Sequence, residues 1–315
     1  MARVTPQGEG AGDSAGWLDR VERIRKWKRG GERAPHKPLL LLHAIAQLHS
    51  DRTSRLAYEY VGPKLRGWLD EFGPQRMTQH PEQPFWRLQN DDGLWLVSSA
   101  APIQSDQPSD GALREANAVG SLAPDFASAL LGDPVLMLAV VRLLLVSNWP
   151  ESLHLSICKN VGLDLDGLET SLAQRRTREL SISERRRDPE FRTKVLRAYE
   201  YRCAMCGFDG RLDSTTVGLE AAHIQWWAED GPDEISNGLS LCAMHHQLFD
   251  RGVLGLSADR EVMVSAQFVG RDSAAESMVT SLGGQELLPP RDGEDEVAEP
   301  HRSWHEKQVF RHPAR

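Results

Sequence analysis

The chain has 315 residues, enough for two ordinary domains and a linker, with 40% apolar residues and a formal net charge of −8. No run approaches the ~18 continuous apolar residues of a membrane span. The opening MARVTPQGEGAGDSAG has no apolar secretory core, so a cytoplasmic protein without a membrane partner is expected. The acidic total does not exclude an anionic partner, because charge is unevenly distributed. Eight Lys or Arg and only two acids fall between Arg20 and Lys37, a second basic run spans Arg175–Arg197, and acids concentrate in Asp292–Glu299.

Residues 1–14 are Gly-rich and polar and read as a disordered lead-in. Trp17–Trp27 has helical spacing, with Leu18, Val21, Ile24 and Trp27 apolar, and Gly30 and Gly31 break it. Pro38 suits the first turn of the next helix. Leu39–Leu48 is apolar all round and is expected at the centre of a core. Ala57–Phe72 reads as another helix. QPFWRLQ (83–89) followed by GLWLVSSA (93–100) reads as a hairpin, with Pro81 and Pro84 before its first strand and Asp91, Asp92 and Gly93 at its turn. Short helices are expected over Ala112–Asn117 and Pro124–Leu131, then a longer one from Asp133 through Val146 and an amphipathic turn over Ser152–Ile157. Cys158 reads as buried core.

This half of the chain resembles the sulfur-binding domain of restriction endonucleases that recognise phosphorothioate-modified DNA. The resemblance rests on RAPHKPLLLL (33–42), HPEQPFWRLQ (80–89), GLWLV (93–97) and NWPESLH with VGL (148–163), and covers about Trp17–Leu163. It implies that Arg33, His36, Lys37, Gln83, Pro84, Ala100, Ala101 and Ser109 bind DNA. His36 and Lys37 match positions that contact the modified phosphate, Pro84 matches a pocket-wall proline, and Ser109 falls where the family presents a base-reading loop. Gln83 departs from the tyrosine commonly found beside that proline. Ala100 and Ala101 are small enough to line the pocket. An apolar dent accepts a soft, weakly hydrated sulfur at little desolvation cost but strips hydration from a charged oxygen. Basic and polar groups around it hold the other oxygens and read bases.

Residues 164–189 are polar and read as a linker, helical near Leu168–Leu180, and Phe191–Tyr201 as an amphipathic helix. Cys203 and Cys206 form C-x-x-C, and Cys242 and His245 form C-x-x-H; paired spacings of this kind gather four tetrahedral ligands around a structural zinc ion. A redox pair would not need the second half, and a disulfide does not suit a cytosolic chain. Leu219–Ile224 suits a strand, Ala228–Gly238 a loop and Cys242–Phe249 a short helix, on which His246 and Asp250 share a face.

From Glu190 to Arg251 the chain resembles the HNH nucleases of the ββα-metal fold, with both catalytic and zinc spacings matching. The resemblance implies that His223 activates water, that Asn237 orients this histidine and ties down the loop, and that His246 helps hold a divalent cation, Mg²⁺ or Mn²⁺, against the scissile phosphate. Many members carry Asp immediately before the base histidine as a metal ligand; here that position is Ala222, so Glu220 or Asp250 is expected to complete the site. Strands are expected over Val253–Leu256 and Glu261–Phe268, and a last helix in which Trp304 packs and His305 lies near DNA.

The expected class is therefore α+β: a helix-rich DNA-binding domain at 15–165, a linker at 166–189, and a ββα-metal domain with a zinc knuckle at 190–315. Together the resemblances imply a type IV-like endonuclease that finds phosphorothioated double-stranded DNA and cuts nearby, at the nucleoid. A nuclease directed to another mark such as 5-methylcytosine, and a non-catalytic DNA-binding regulator, are the alternatives. Cutting both strands with one centre per chain calls for a homodimer or two binding events.

Overall fold

The computed structural model describes residues 10–24, 35–165, 167, 168, 188 and 190–315. Arg33, Trp27, the glycine break and nearly all of the expected linker, with its helix and the Arg185–Arg187 run, lie outside them. The N-terminal half is built from α1 (Gly10–Glu22), α2 (His36–Asp51), α3 (Tyr58–Phe72), α4 (Glu82–Arg87), α5 (Asp110–Glu115), α6 (Pro124–Gly132), α7 (Pro134–Val146) and α8 (Glu151–Val161). Helix α1 starts within the expected lead-in.

Leu39–Leu42 on α2 are fully buried, and α7 is apolar nearly all round. Both are therefore central helices rather than surface ones. Asp133 caps α7 by accepting from the amides of Val135 and Leu136, and Pro134 occupies the first turn, where a missing N–H costs nothing.

A small antiparallel sheet, β1 (Leu56–Ala57), β2 (Trp95–Ser98) and β3 (Val119–Leu122), runs in the order β1-β3-β2. Trp95 pairs with Leu122 across it, and Trp95 Nε1 donates to the Phe85 carbonyl at 3.0 Å. Gly120 lies against that indole: a β-carbon there would come within 2.1 Å of Trp95. The expected hairpin over 83–100 is not formed. Its first arm is helix α4 followed by a 3-10 turn at Leu88–Asn90, and β2 pairs with β3 instead. Pro81 and Pro84 begin a helix more readily than they leave a strand ladder intact, and Phe85 and Leu88, three apart, share its buried face.

The C-terminal half opens with α9 (Phe191–Ala198) and a small hairpin, β4 (Arg211–Leu212) and β5 (Thr215–Thr216). Strands β6 (Leu219–His223) and β7 (Gly238–Cys242) pair antiparallel, with His223 opposite Gly238, and lead into α10 (Ala243–Asp250). This is the expected strand, loop and helix. The two later strands are shorter than expected, β8 (Leu254–Leu256) and β9 (Val262–Val264), and are followed by α11 (Ser273–Met278) and α12 (Glu299–Gln308). Trp304 packs on Trp226 as expected, with ring centroids 5.7 Å apart. His305 does not face outward: it is 1% exposed, stacks on Phe249 and bonds its carbonyl at 3.0 Å, so it is core and not a DNA contact.

The halves pack directly on one another. Trp226 and Val309 belong to the same buried apolar cluster as the N-terminal helices. Arg251 reaches Glu71 at 3.5 Å and also donates to Ser156, while Arg311 donates to the Glu71 carbonyl at 2.7 Å. No single described helix is long and apolar enough to cross a membrane.

Candidate active site, metal centre and DNA-binding face

Cys203, Cys206, Cys242 and His245 converge, with one ligand atom from each lying within 4.8 Å of the others. The turn after α9, the end of β7 and the first turn of α10 bring them together. Hydrogen bonds from the Cys206 and Cys242 thiols pull the Cys203 thiol far below its usual range. His245 Nδ1 faces Cys203 Sγ at 3.5 Å, and its Nε2 lies 2.8 Å from the Met278 carbonyl. A ligating imidazole is commonly held in this way, its second nitrogen donating to a carbonyl. Three thiols and an oriented imidazole fit a tetrahedral structural metal such as zinc.

The second centre lies in a cavity of about 130 Å³ lined by His223, Ala221, His246, Asp250, Trp149 and Ser152, among others. His223 ends β6. Its ring stacks on Phe191 at 4.0 Å, and its Nε2 lies 2.7 Å from Asp233 Oδ1. Asp233 Oδ2 in turn accepts from the Asp188 amide at 2.7 Å. Asn237 is fully buried; its Oδ1 accepts from the Gln225 amide, and its Nδ2 donates to the carbonyls of Gln225 and Pro232. It ties the loop down, and the His223 ring meets Asp233 and Phe191. Gly231 is required in that loop, because a β-carbon would fall 1.9 Å from the Gln225 carbonyl oxygen.

His246 stands on α10 between two carboxylates, with Nδ1 2.6 Å from Glu220 and Nε2 3.1 Å from Asp250 Oδ2. Burial opposes its charged form, but Asp250 and Glu220 outweigh that and raise its pKa to about 10. The hydrogen bond to His246 pulls Glu220 below the usual carboxylate range. Asp250 is 2% exposed; its Oδ2 also accepts from the Ser152 hydroxyl, and its Oδ1 is buried with no hydrogen-bond partner. A buried, unpartnered carboxylate oxygen beside an imidazole fits a hard divalent cation. Ala222 is fully buried and offers no ligand.

The DNA-binding residues expected in the N-terminal half are partly brought together. His36 and Lys37 open α2, which packs on α4, the helix carrying Gln83 and Pro84. Lys37 forms an ion pair with Asp91, whose side chain is nearly buried. Pro84 is buried and Gln83 half-buried, whereas Ala100, Ala101 and Ser109 are exposed. Ser109 caps α5, accepting from the Ala112 amide at 3.2 Å. Trp86, not singled out from sequence, ties α4 to the following loop through the Asp106 carbonyl at 3.1 Å.

Residues 14–166 match the family described as the ScoMcrA-like DNA sulfur-binding domain, and residues 203–257 match the HNH endonuclease family. The chain joins a DNA sulfur-binding domain to an HNH endonuclease domain. Among solved structures it is similar to the sulfur-binding domain of SprMcrA complexed with phosphorothioated DNA, at 22% identity and a TM-score of 0.41, covering 49% of this chain and 95% of that one. The corresponding ScoMcrA complex is 22% identical, with a TM-score of 0.39 and coverage of 48% and 97%. The type IV phosphorothioation-dependent restriction endonuclease ScoMcrA is 20% identical, with a TM-score of 0.39 and coverage of 71% and 43%. No curated protein matches the sequence. The sulfur-binding domain thus contains α1–α8, and the HNH domain holds the thiol cluster and contributes His223, His246 and Asp250 to the cavity.

Proposed function

We infer that the protein is a modification-dependent restriction endonuclease: the sulfur-binding domain engages phosphorothioated double-stranded DNA, and the HNH domain hydrolyses a phosphodiester bond nearby. The observation that carries this reading is the presence of both family matches in one chain, with His223, His246 and Asp250 lining one cavity.

In the HNH centre, His223 takes a proton from water as that water attacks phosphorus, and Asp233 supports the imidazolium that forms. Asn237 holds the loop from which Asp233 projects. His246 Nε2 and Asp250 would hold Mg²⁺ or Mn²⁺, which when bound offsets negative charge on the pentavalent transition state. Glu220 meets the other ring nitrogen of His246, which makes it the carboxylate that holds the ligand's N–H rather than a ligand itself. The bond to the sugar oxygen opposite the attacking water breaks, and that oxygen takes up a proton. Zn²⁺ is the ion assigned to Cys203, Cys206, Cys242 and His245, where it replaces core that a short, loop-rich region lacks.

In the sulfur-binding domain, His36 and Lys37 are the proposed contacts to the modified phosphate, and Gln83, Pro84, Ala100 and Ala101 the surround of the sulfur. Arg33 would add a phosphate contact, and Ser109 is placed for base reading. One centre per chain means that a double-strand break takes a homodimer or two binding events. A DNA substrate of this kind places the protein at the nucleoid.

The deciding experiment is cleavage of matched plasmids with and without phosphorothioation, in Mg²⁺ and in Mn²⁺. Cutting confined to the modified plasmid and abolished by His223→Ala is expected. Equal cutting of both plasmids removes the sulfur reading, and undiminished cutting by the variant removes the assigned base.

A further inference from the structure

The cavity that holds His223, His246 and Asp250 is not made by the HNH domain alone. Trp149, Pro150, Glu151 and Ser152 line it from the other side, and all four belong to the sulfur-binding domain. One bond crosses the boundary at the centre of the chemistry: Ser152 Oγ donates to Asp250 Oδ2, across 98 positions of sequence. That oxygen also meets His246 Nε2, while the second oxygen of the same carboxylate is buried and unpartnered.

We propose that Ser152 is a positioning residue of the nuclease: its hydroxyl fixes the Asp250 carboxylate so that Oδ1 is presented to the catalytic cation. The proposal rests on the assignment of the cation to His246 and Asp250 above. A carboxylate on a two-bond side chain has a terminal rotation with broad preferences. The Ser152 hydroxyl donating to Oδ2 selects one orientation and leaves Oδ1 for a ligand. Ordering by an outer partner of this kind is a recurrent feature of metal sites.

The mount is rigid. Ser152 lies in the first turn of α8, which packs on α2, α3 and α7 and also on α10, the helix carrying His246 and Asp250. His43 on α2 bonds the Val161 carbonyl at the far end of α8, at 2.8 Å. One turn beyond Ser152 on α8, Ser156 accepts from Arg251, the residue that follows Asp250. The recognition domain therefore supplies a wall of the catalytic cavity and a fixed donor to one of its cation ligands. The nuclease centre is complete only when the two domains are docked.

The test uses the full-length, zinc-loaded protein and Mn²⁺ as the probe, with free Mn²⁺ followed by electron paramagnetic resonance. Ser152→Ala is expected to weaken Mn²⁺ binding about 10- to 100-fold. Ser152→Thr, which keeps the hydroxyl, is expected to bind Mn²⁺ nearly as the parent does. Affinity for a phosphorothioated duplex without added Mn²⁺ should stay within about twofold in both variants, because Ser152 is not one of the proposed phosphate contacts. Unchanged Mn²⁺ affinity in Ser152→Ala overturns the proposal, and so does an equal loss in Ser152→Thr, which would mean that packing rather than the hydroxyl matters. Asp250→Asn separates the two levels. If it abolishes Mn²⁺ binding while Ser152→Ala does not weaken it, only the role of Ser152 fails. If it leaves Mn²⁺ binding intact, the cation assignment fails and the role of Ser152 falls with it.

Discussion

Replacing Asp233 by asparagine is the sharpest perturbation of the proposed chemistry, because it keeps shape and removes one charge. Asp233 Oδ1 is 2.7 Å from His223 Nε2, a distance typical of a charge-assisted bond. Both side chains are largely buried, at 16% and 15% exposure, so water screens the pair only in part. When His223 accepts the proton from water it becomes a cation, and the carboxylate then gains a full charge partner. A hydrogen bond to a charged group contributes about 1.5–3 kcal/mol. At about 1.4 kcal/mol per tenfold in rate, Asp233→Asn should slow the chemical step on the order of 10- to 150-fold. The assay is single-turnover cleavage of a phosphorothioated duplex under saturating protein, with duplex affinity measured in parallel. Affinity should be unchanged, since Asp233 belongs to the HNH domain and not to the sulfur-binding face. Cleavage within about twofold of the parent would refute the reasoning, because the charge on Asp233 would then not support the chemical step.

The thiol cluster predicts stoichiometric zinc, and Cys203→Ser or Cys242→Ser should lose it and lower the melting temperature of the HNH domain on the order of 10 °C; wild-type melting or metal-free parent protein would contradict this. Lys37→Ala should weaken binding to any duplex and reduce the slope of log affinity against log salt by about one. An unchanged slope would mean that Lys37 stays committed to Asp91 and never reaches a phosphate. Burial first, opposed by the bond to Val161 and aided by Lys64, lowers the pKa of His43 below its ordinary value. The folded state thus keeps His43 neutral while the unfolded chain protonates it near pH ~6.5, so stability present above that pH declines as pH falls below it. His43→Gln should flatten this acid loss in pH-dependent denaturant titrations, and an identical slope in both proteins would exclude His43 as its source.

Much of the HNH centre was legible because its signals are close along the chain. The two Cys pairs, the His223 strand and the His246 helix all fall between Cys203 and Asp250, and metal-ligand spacing is a local property. The central helices α2 and α7 were equally plain, since runs such as LLLLHAIA and LMLAVVRLLLV can only be buried. QPFWRLQ was misread because a short apolar segment fits strand and helix alike. Its place as α4 was decided by Trp95, whose indole bonds the Phe85 carbonyl and whose strand pairs elsewhere. His305 was misplaced for a related reason: its helix, EPHRSWHEKQ, is mostly polar, and packing against Phe249 puts it in the core.

By itself the sequence pointed to the class of the two domains, to a thiol-rich set fit for a metal and to His223, Asn237 and His246. Tertiary structure alone decided which carboxylates serve them. Asp233 reaches His223 through a loop held by Asn237, Glu220 and Asp250 divide the two nitrogens of His246, and Ser152 comes to Asp250 from the other domain. A single carboxylate or hydroxyl leaves no periodicity and no spacing rule in a chain. Its role is set by a few ångströms of approach, and those are fixed only when distant segments pack.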